Sequence, residues 1–247
     1  MRVAFLCGSL LAAGALQAAP LIDIYGGAYT GRASFSGDLG SDGRALDLGD
    51  ELGYDSGRQT VLYLGVEHAV PVIPNARLRF ASLSDSSRGQ LNDTADFGDG
   101  SFAAGTQVAS SFDLDSTDLT LYYTPFDLVA KLDIGLTARQ LKGDFVVQDA
   151  ADASNRGVAS ISEVVPLLYV GAYGKLPLTG FYATGEVNGI GYSGNRFMDV
   201  RAGLGWRSDF LFGVELGYSQ MSLKVDIDDV DADLSVGGPY LALSLNF

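Results

Sequence analysis

Apolar and polar residues alternate with a period of two along most of this chain. In the last ten residues, leucines at alternate positions share one face of an extended strand, and tyrosine, alanine, serine and asparagine share the other. Residues 131–140, 197–207 and 211–220 show the same alternation, and their second face combines charged residues with glycine. This pattern is typical of a transmembrane β-barrel whose outside contacts lipid and whose inside is polar.

Ten segments of this kind can be marked, which predicts an all-β fold, an antiparallel up-and-down barrel of about ten strands. They cover residues 21–35, 58–69, 76–85, 112–124, 131–147, 160–175, 181–193, 196–207, 211–226 and 234–247. An even number of strands returns both termini to the same side of the membrane, as in bacterial outer-membrane barrels.

The connections between these segments are unequal in length. The connections 70–75, 125–130, 176–180 and 208–210 are short, whereas 36–57, 86–111, 148–159 and 227–233 are mostly longer. Only the connection formed by Gly194 and Asn195 is short where a longer one is expected. Outer-membrane barrels have short periplasmic turns and longer extracellular loops, so we predict periplasmic termini and acidic loops outside the cell. Residues 36–57 and 86–111 are rich in Gly, Asp and Ser, and we expect them to be mobile.

The N-terminus resembles a secretory signal peptide. Arg2 supplies the positive region, an apolar stretch follows, and cleavage after Ala18 would leave residues 19–247 as the barrel domain. An uncleaved membrane anchor is the alternative, although the stretch is short for a bilayer span. Removal of residues 1–18 would also remove Cys7, the single cysteine, so the mature protein would contain no disulfide.

The composition excludes several classes of function. The formal charge of −14 leaves no basic surface for nucleic acid, and one Cys with one His excludes most metal centres. Asp supplies most of the acidic residues, which favours turns over helices. We expect no cofactor.

Aromatic residues gather near the predicted periplasmic ends of the strands, where an interfacial girdle is expected. They are Tyr122, Tyr123, Phe126, Phe181, Tyr182, Trp206, Phe210, Phe212 and Phe247. Phe247 ends an alternating strand, and this arrangement resembles the C-terminal assembly signal by which Gram-negative outer-membrane proteins engage the barrel-assembly machinery.

Residues 67–78, 133–139, 221–223 and 238–241 together resemble a family of Gram-negative outer-membrane β-barrel proteins found in genomes with the rhombosortase and GlyGly-CTERM sorting system. Ala69 departs from the Pro expected in the first of these runs. The resemblance implies an outer-membrane location and a barrel fold, and it implies no activity.

Charged residues on the inward register require an explanation, because isolated charges in a narrow lumen would be costly. They are Glu67, Arg77, Arg79, Asp118, Asp133, Arg139, Glu186, Asp199, Arg201 and Glu215. A salt-bridged polar plug is one interpretation, and a narrow, porin-like pathway for small polar solutes is the other. A wide general porin needs many more strands.

Two further features could carry chemistry. His68 is the only histidine and lies beside a predicted periplasmic turn, whereas barrel enzymes, as families, use a His toward the lipopolysaccharide-facing side; we therefore predict no enzymatic activity. The last predicted loop contains Asp226, Asp228, Asp229, Asp231 and Asp233. These carboxylates could form a weak divalent-cation site, although a solvated acidic rim is the alternative.

The sequence therefore predicts a monomeric integral protein of the Gram-negative outer membrane. Its predicted role is structural or surface-interacting, with outer-membrane lipid and lipopolysaccharide as partners. A narrow channel is the first alternative and an enzyme acting on lipid or peptide the second.

Overall fold

The computed structural model describes residues 22–41, 44–208, 211–227 and 230–246. The strands are β1 (Ile22–Ser41), β2 (Leu46–Asp47), β3 (Ser56–His68), β4 (Asn75–Gln90), β5 (Ala95–Phe97), β6 (Gly100–Phe102), β7 (Gln107–Asp127), β8 (Ala130–Asp149), β9 (Arg156–Lys175), β10 (Phe181–Tyr192), β11 (Asn195–Arg207), β12 (Phe212–Ile227) and β13 (Val230–Asn246). Among these residues no helix is long and apolar enough to cross a membrane. The predicted signal peptide and Phe247 lie outside the described residues.

Ten of the strands form one closed antiparallel barrel. They pair in the order β1, β3, β4, β7, β8, β9, β10, β11, β12 and β13, and β13 pairs back with β1 from Tyr25 opposite Asn246 to Ser41 opposite Val230. Strands that are adjacent in the barrel follow one another in the chain, so the topology is up-and-down. The predicted all-β barrel of ten strands is confirmed.

The two ends of the barrel differ. Residues 69–74, 128–129, 176–180 and 208–211 join strands at the end where β1 begins and β13 ends, which we call the turn end. Residues 42–55, 91–106, 150–155, 193–194 and 228–229 join strands at the opposite end, which we call the loop end. The short connections lie where the sequence predicts them.

A belt of exposed apolar side chains surrounds the half of the barrel nearer the turn end. On the outer face, Leu136, Leu204 and Leu216 are 61%, 71% and 65% exposed. On the inner face, Thr137 and Glu215, which are adjacent in sequence to Leu136 and Leu216, are 1% and 7% exposed. A water-soluble protein buries its leucines and exposes its carboxylates. The reverse arrangement is the one expected where the surroundings are lipid.

The alternation is inverted toward the loop end, where the strands extend beyond the belt. On β7, Asp113 and Asp115 are exposed on the outer face, while Phe112 contacts an apolar cluster in the interior. On β8, Leu141 and Val147 are buried inside. This part of the barrel therefore has the polar surface and apolar interior of a protein in water.

These extensions make the loops shorter than the sequence predicts. The predicted loop 36–57 is reduced to 42–55, 86–111 to 91–106 and 148–159 to 150–155, because strand pairing continues through the inverted segments. The predicted loop 227–233 is wrong as well, since β12 and β13 pair up to Ile227 opposite Val230. Alternating polar and apolar side chains are compatible with a strand in lipid and with a strand in water. A strand can therefore continue beyond the edge of the apolar belt.

The two longest connections fold into the loop-end mouth and close it. We call residues 44–55 and 91–106 the cap. Its buried apolar residues pack together with Val108 and Val147 of the barrel wall; they are Leu46, Leu48, Leu52, Tyr54, Leu91, Ala95, Phe97 and Phe102. The described cap is therefore a packed unit, because its apolar side chains are buried against one another and against the wall.

The predicted aromatic girdle is partly wrong. Tyr123, Phe126 and Phe181 are exposed on the outside near the turn end, as are Trp206 and Phe212. Tyr122 and Tyr182 instead are buried inside the barrel, because they occupy the alternate register positions. Phe210 and Phe247 lie outside the described residues.

Candidate functional site

All ten charged residues of the predicted lumen cluster face the interior, and each forms at least one ion pair there. They are arranged in three groups along the barrel axis. We describe these groups from the loop end to the turn end, because their order determines how far solvent can enter from either side.

The first group, which we call the inner ring, consists of Arg79, Asp118, Arg139 and Asp199. Arg139 donates Nε to Asp118 Oδ1 at 2.8 Å and Nη2 to Asp118 Oδ2 at 2.7 Å, a bidentate contact. The same Nη2 lies 2.7 Å from Asp199 Oδ2, and Arg79 Nη1 lies 3.2 Å from Asp118 and 3.0 Å from Asp199. Two cations and two carboxylates thus balance in charge.

The inner ring spans the lumen. Arg79, Asp118 and Arg139 belong to the adjacent strands β4, β7 and β8, whereas Asp199 belongs to β11, five places from β4 in the ten-strand order. Side chains from opposite walls therefore meet at the axis. The side chains of Arg139 and Asp118 are only 2% and 3% exposed, so this pair is almost fully shielded from solvent.

The second group, the middle cluster, consists of Arg77, Glu186, Arg201 and Glu215. Arg77 Nη1 lies 2.6 Å and Arg201 Nη2 lies 2.9 Å from Glu186 Oε1, and Arg201 Nη1 lies 3.8 Å from Glu215 Oε1. Tyr240 donates its hydroxyl to Glu215 at 2.6 Å. The middle cluster is also balanced in charge. Its Arg77–Glu186 pair joins β4 to β10 across the lumen, whereas Arg201 pairs with Glu186 and Glu215 on the strands next to its own.

The third group, the lower triad, consists of Glu67, Lys131 and Asp133. Lys131 is not among the ten charged residues predicted from the sequence. Lys131 pairs with Glu67 and lies 3.9 Å from Asp133. Tyr122 donates its hydroxyl to Glu67 at 2.7 Å, and Thr124 donates to Asp133 at 2.6 Å. Lys131 lies two residues before Asp133 and so shares its inward register; that spacing was the available signal.

Tyrosines complete the lining, and glycines opposite them provide the space. A Cβ added at Gly203 would lie 2.7 Å from Tyr240 Oη and 2.8 Å from Glu215 Oε1, closer than side-chain atoms normally approach. Tyr182 lies opposite Gly205 in the same way. At Gly203 and Gly205, the space that a side chain would fill is therefore occupied by a tyrosine, a pairing known from other sheets.

An open cavity separates the charged groups from the turn end. This cavity, which we call the vestibule, has a volume of about 270 Å³ and is lined by residues of the middle cluster and the lower triad together with Asp23, Tyr173, Lys175, Tyr182 and Arg207. Arg207 lies against the rings of Tyr173 and Tyr182, at 5.6 and 5.5 Å from their centroids. The sequence analysis did not single out Lys175 or Arg207.

An arginine–glutamate pair fastens the cap. Arg44 donates to both carboxylate oxygens of Glu51, at 2.7 and 2.6 Å, and to the carbonyls of Asp93 and Thr94 in the second loop. Glu51 also accepts the Asn92 N–H at 3.0 Å. The Arg44 hydrogen bond is the main cause that lowers the pKa of Glu51 to about 2.

His68 has a structural environment. Its Nε2 lies 3.3 Å from the Pro74 carbonyl and its Nδ1 accepts the Val70 N–H at 3.3 Å, so the ring bridges the first turn. It lies at the turn end, as the sequence predicts. Within the described residues no Ser or Cys nucleophile forms a hydrogen bond with it.

The predicted divalent-cation residues are only partly described. Asp228 and Asp229 lie outside the described residues. Register pairing places Asp226 opposite Asp231 on the neighbouring strand. Asp233 pairs with Lys224 at 3.2 Å. In the part of the chain that the structure describes, no three His, Cys, Asp or Glu residues are grouped to hold a metal ion.

No protein-family model and no curated protein sequence matches this chain. Three solved structures are similar at low identity. The transport unit of the autotransporter AIDA-I from Escherichia coli aligns with a TM-score of 0.43 and 10% identity, covering 96% of this chain and 93% of that one. The CymD monoaromatic hydrocarbon channel aligns at 0.31 and 7% identity, covering 91% and 88%. A Pseudomonas aeruginosa FadL homologue aligns at 0.29 and 10% identity, covering 92% and 90%.

Proposed function

We propose that this protein is an integral, monomeric β-barrel of a Gram-negative outer membrane with a closed lumen and a structural or surface-interacting role. Membership of the GlyGly-CTERM-associated barrel family is part of this proposal. The belt of exposed leucines supports the membrane location, because a ring of such side chains in water would be a large apolar patch. The short turns support a periplasmic turn end and an external loop end.

The observation that carries the closed lumen is the series of barriers along the axis. The inner ring and the middle cluster join opposite walls through ion pairs, and the cap fills the loop-end mouth with buried apolar side chains. A cavity of about 40 Å³ lies beside the inner ring, near Leu83 and Met221. A solute entering from the vestibule therefore meets paired charges first and an apolar core afterwards.

The loop end supplies the surface for contacts outside the cell. Asp96, Asp113, Asp115 and Asp152 are all exposed there, above the apolar belt. An acidic surface next to anionic lipopolysaccharide favours divalent cations or basic partners between the two. We assign no catalytic role, since His68 is engaged in a turn at the opposite end.

Conductance in planar bilayers tests the closed lumen against the channel alternative. We expect the purified protein to give no resolvable current steps at either polarity, in a bilayer where an added general porin does conduct. Reproducible small steps that depend on protein would overturn the closed lumen and establish the narrow channel instead.

Cysteine labelling tests the location and orientation. Cys7 is the only native cysteine, so single cysteines can be introduced as Asp152→Cys at the loop end and Thr179→Cys at the turn end, both at exposed positions. We expect an impermeant maleimide to label the first variant on intact cells and the second only after permeabilisation. The opposite pattern, or recovery of the protein in the soluble fraction, would contradict the proposal.

A further inference from the structure

The vestibule contains two cations that form no ion pair with a carboxylate of the described residues. Within the described part of the chain, neither Lys175 nor Arg207 forms an ion pair, whereas the four arginines of the inner ring and middle cluster all do. The Nε of Arg207 is buried and has no hydrogen-bond partner among the residues that the structure describes.

Tyr173 brings the two cations together at one side of the vestibule. Lys175 Nζ lies 5.7 Å from the centroid of the Tyr173 ring, and Arg207 Cζ lies 5.6 Å from the same centroid. The rings of Tyr173 and Tyr182 restrict the position of the Arg207 guanidinium, and its terminal N–H groups remain available to a planar acceptor. A carboxylate matches this fork of donors, because it can accept two parallel N–H bonds.

The opposite side of the vestibule is acidic. Asp23 lies on β1, five places from β9 and Lys175 in the ten-strand order, and therefore faces it across the barrel. Asp23 forms no ion pair with a described residue and is exposed at the mouth; its register neighbour Glu67 is engaged by Lys131. A carboxylate without an ion pair in the described residues thus faces the two cations across the vestibule, and a second one, Asp127 on β7, also lines it.

The total charge and the size of the vestibule limit what can bind. Six carboxylates and five cations line it, so a doubly charged anion would be repelled overall, whereas a neutral zwitterion would not. Its volume of about 270 Å³ lies near the lower end of ligand pockets. The ligand is therefore smaller than most drug molecules and carries charges of both signs.

We propose that the vestibule binds a short zwitterionic peptide, of two or three residues, with its carboxylate at Arg207 and Lys175 and its ammonium group toward Asp23. This inference is separate from the closed lumen, because binding to the vestibule can be measured whether or not the barrel conducts. It would give the turn end of the barrel a binding function of its own.

Isothermal titration calorimetry on the full-length protein in detergent micelles tests this site. The probes are trialanine, N-acetyl-trialanine and trialanine amide, with acetate and inorganic phosphate as anion controls. We expect trialanine to bind and removal of either terminal charge to weaken binding about tenfold. Equal affinity for all three peptides, or binding of phosphate without trialanine, would overturn the zwitterion site.

Two variants locate the binding. We expect Arg207→Gln to weaken trialanine binding about tenfold, while Arg196→Gln, at the exposed loop end of the same strand β11, leaves it unchanged. Heat-modifiable gel migration shows that each variant is folded. Tyrosine difference absorbance provides a second measurement, since Tyr173 and Tyr182 contact Arg207. Trialanine binding that survives Arg207→Gln in a folded protein would disprove the assignment.

Discussion

Replacement of Arg139 by methionine tests whether the inner ring stabilises the barrel. Methionine retains an unbranched side chain that extends as far as the Nε position of arginine, and it removes the charge. The change deletes three hydrogen bonds to Asp118 and Asp199, at 2.7 to 2.8 Å, from a side chain that is 2% exposed. Loss of one partner of a buried pair costs about 3–5 kcal/mol. Arg79 still contacts both carboxylates, so we expect about 3 kcal/mol, the lower end of that range.

Unfolding by guanidinium in lipid vesicles measures this free energy. Trp206 is the only tryptophan and lies 42% exposed on the outside of the barrel, so its fluorescence reports loss of contact with lipid. Arg196→Met serves as the control, with an expected effect within about 0.5 kcal/mol. The double change of Arg139→Met with Asp118→Leu removes one charge of each sign, and we expect it to recover part of the loss. An effect of Arg139→Met no larger than that of Arg196→Met would refute the reasoning.

Three other predictions concern the cap and the lining. Arg44 lowers the pKa of Glu51 to about 2, so the stability that the Glu51 carboxylate contributes is complete above about pH 4.5 and is lost as the pH falls toward 2. Amide hydrogen exchange in the cap should therefore become faster as the pH falls through this interval. Glu51→Gln should remove that pH dependence. Phe97 is fully buried in the cap, so Phe97→Ala should destabilise the cap by about 3–5 kcal/mol, seen as faster proteolysis of residues 91–106 with an unchanged unfolding midpoint of the barrel. Gly203→Ala should destabilise the barrel by about 1–3 kcal/mol because its Cβ would meet Tyr240, whereas Gly185→Ala, with nothing within 4 Å, should have little effect.

The period-two alternation was sufficient to predict the fold and the inward charges. Because side chains on a strand point to alternate faces, register alone assigns Arg77, Arg139 and Glu215 to one side of the wall, and the belt of leucines identifies the other side as the outside. Lys131 could have been found by the same rule. Strand number and the short turns also follow from local pattern, since each depends on residues close together in the sequence.

The cap and the pairing across the lumen depend on contacts between distant parts of the chain. Phe97 and Leu52 occur in segments whose composition resembles mobile loops, and only the inverted strands around them provide an apolar interior to fill. The partners of an inward arginine are set by barrel closure: Arg77 contacts Glu186, 109 residues away, because β4 and β10 meet across the axis.

The sequence by itself therefore determined the barrel, its two faces and the polar lining, because these follow from a repeating local geometry. The tertiary structure alone decided that ion pairs cross the lumen, that the loop end is capped by an apolar core, and that Lys175 and Arg207 remain without carboxylate partners in the described residues. Those properties depend on which side chains meet across the barrel, and no spacing along one strand contains that information.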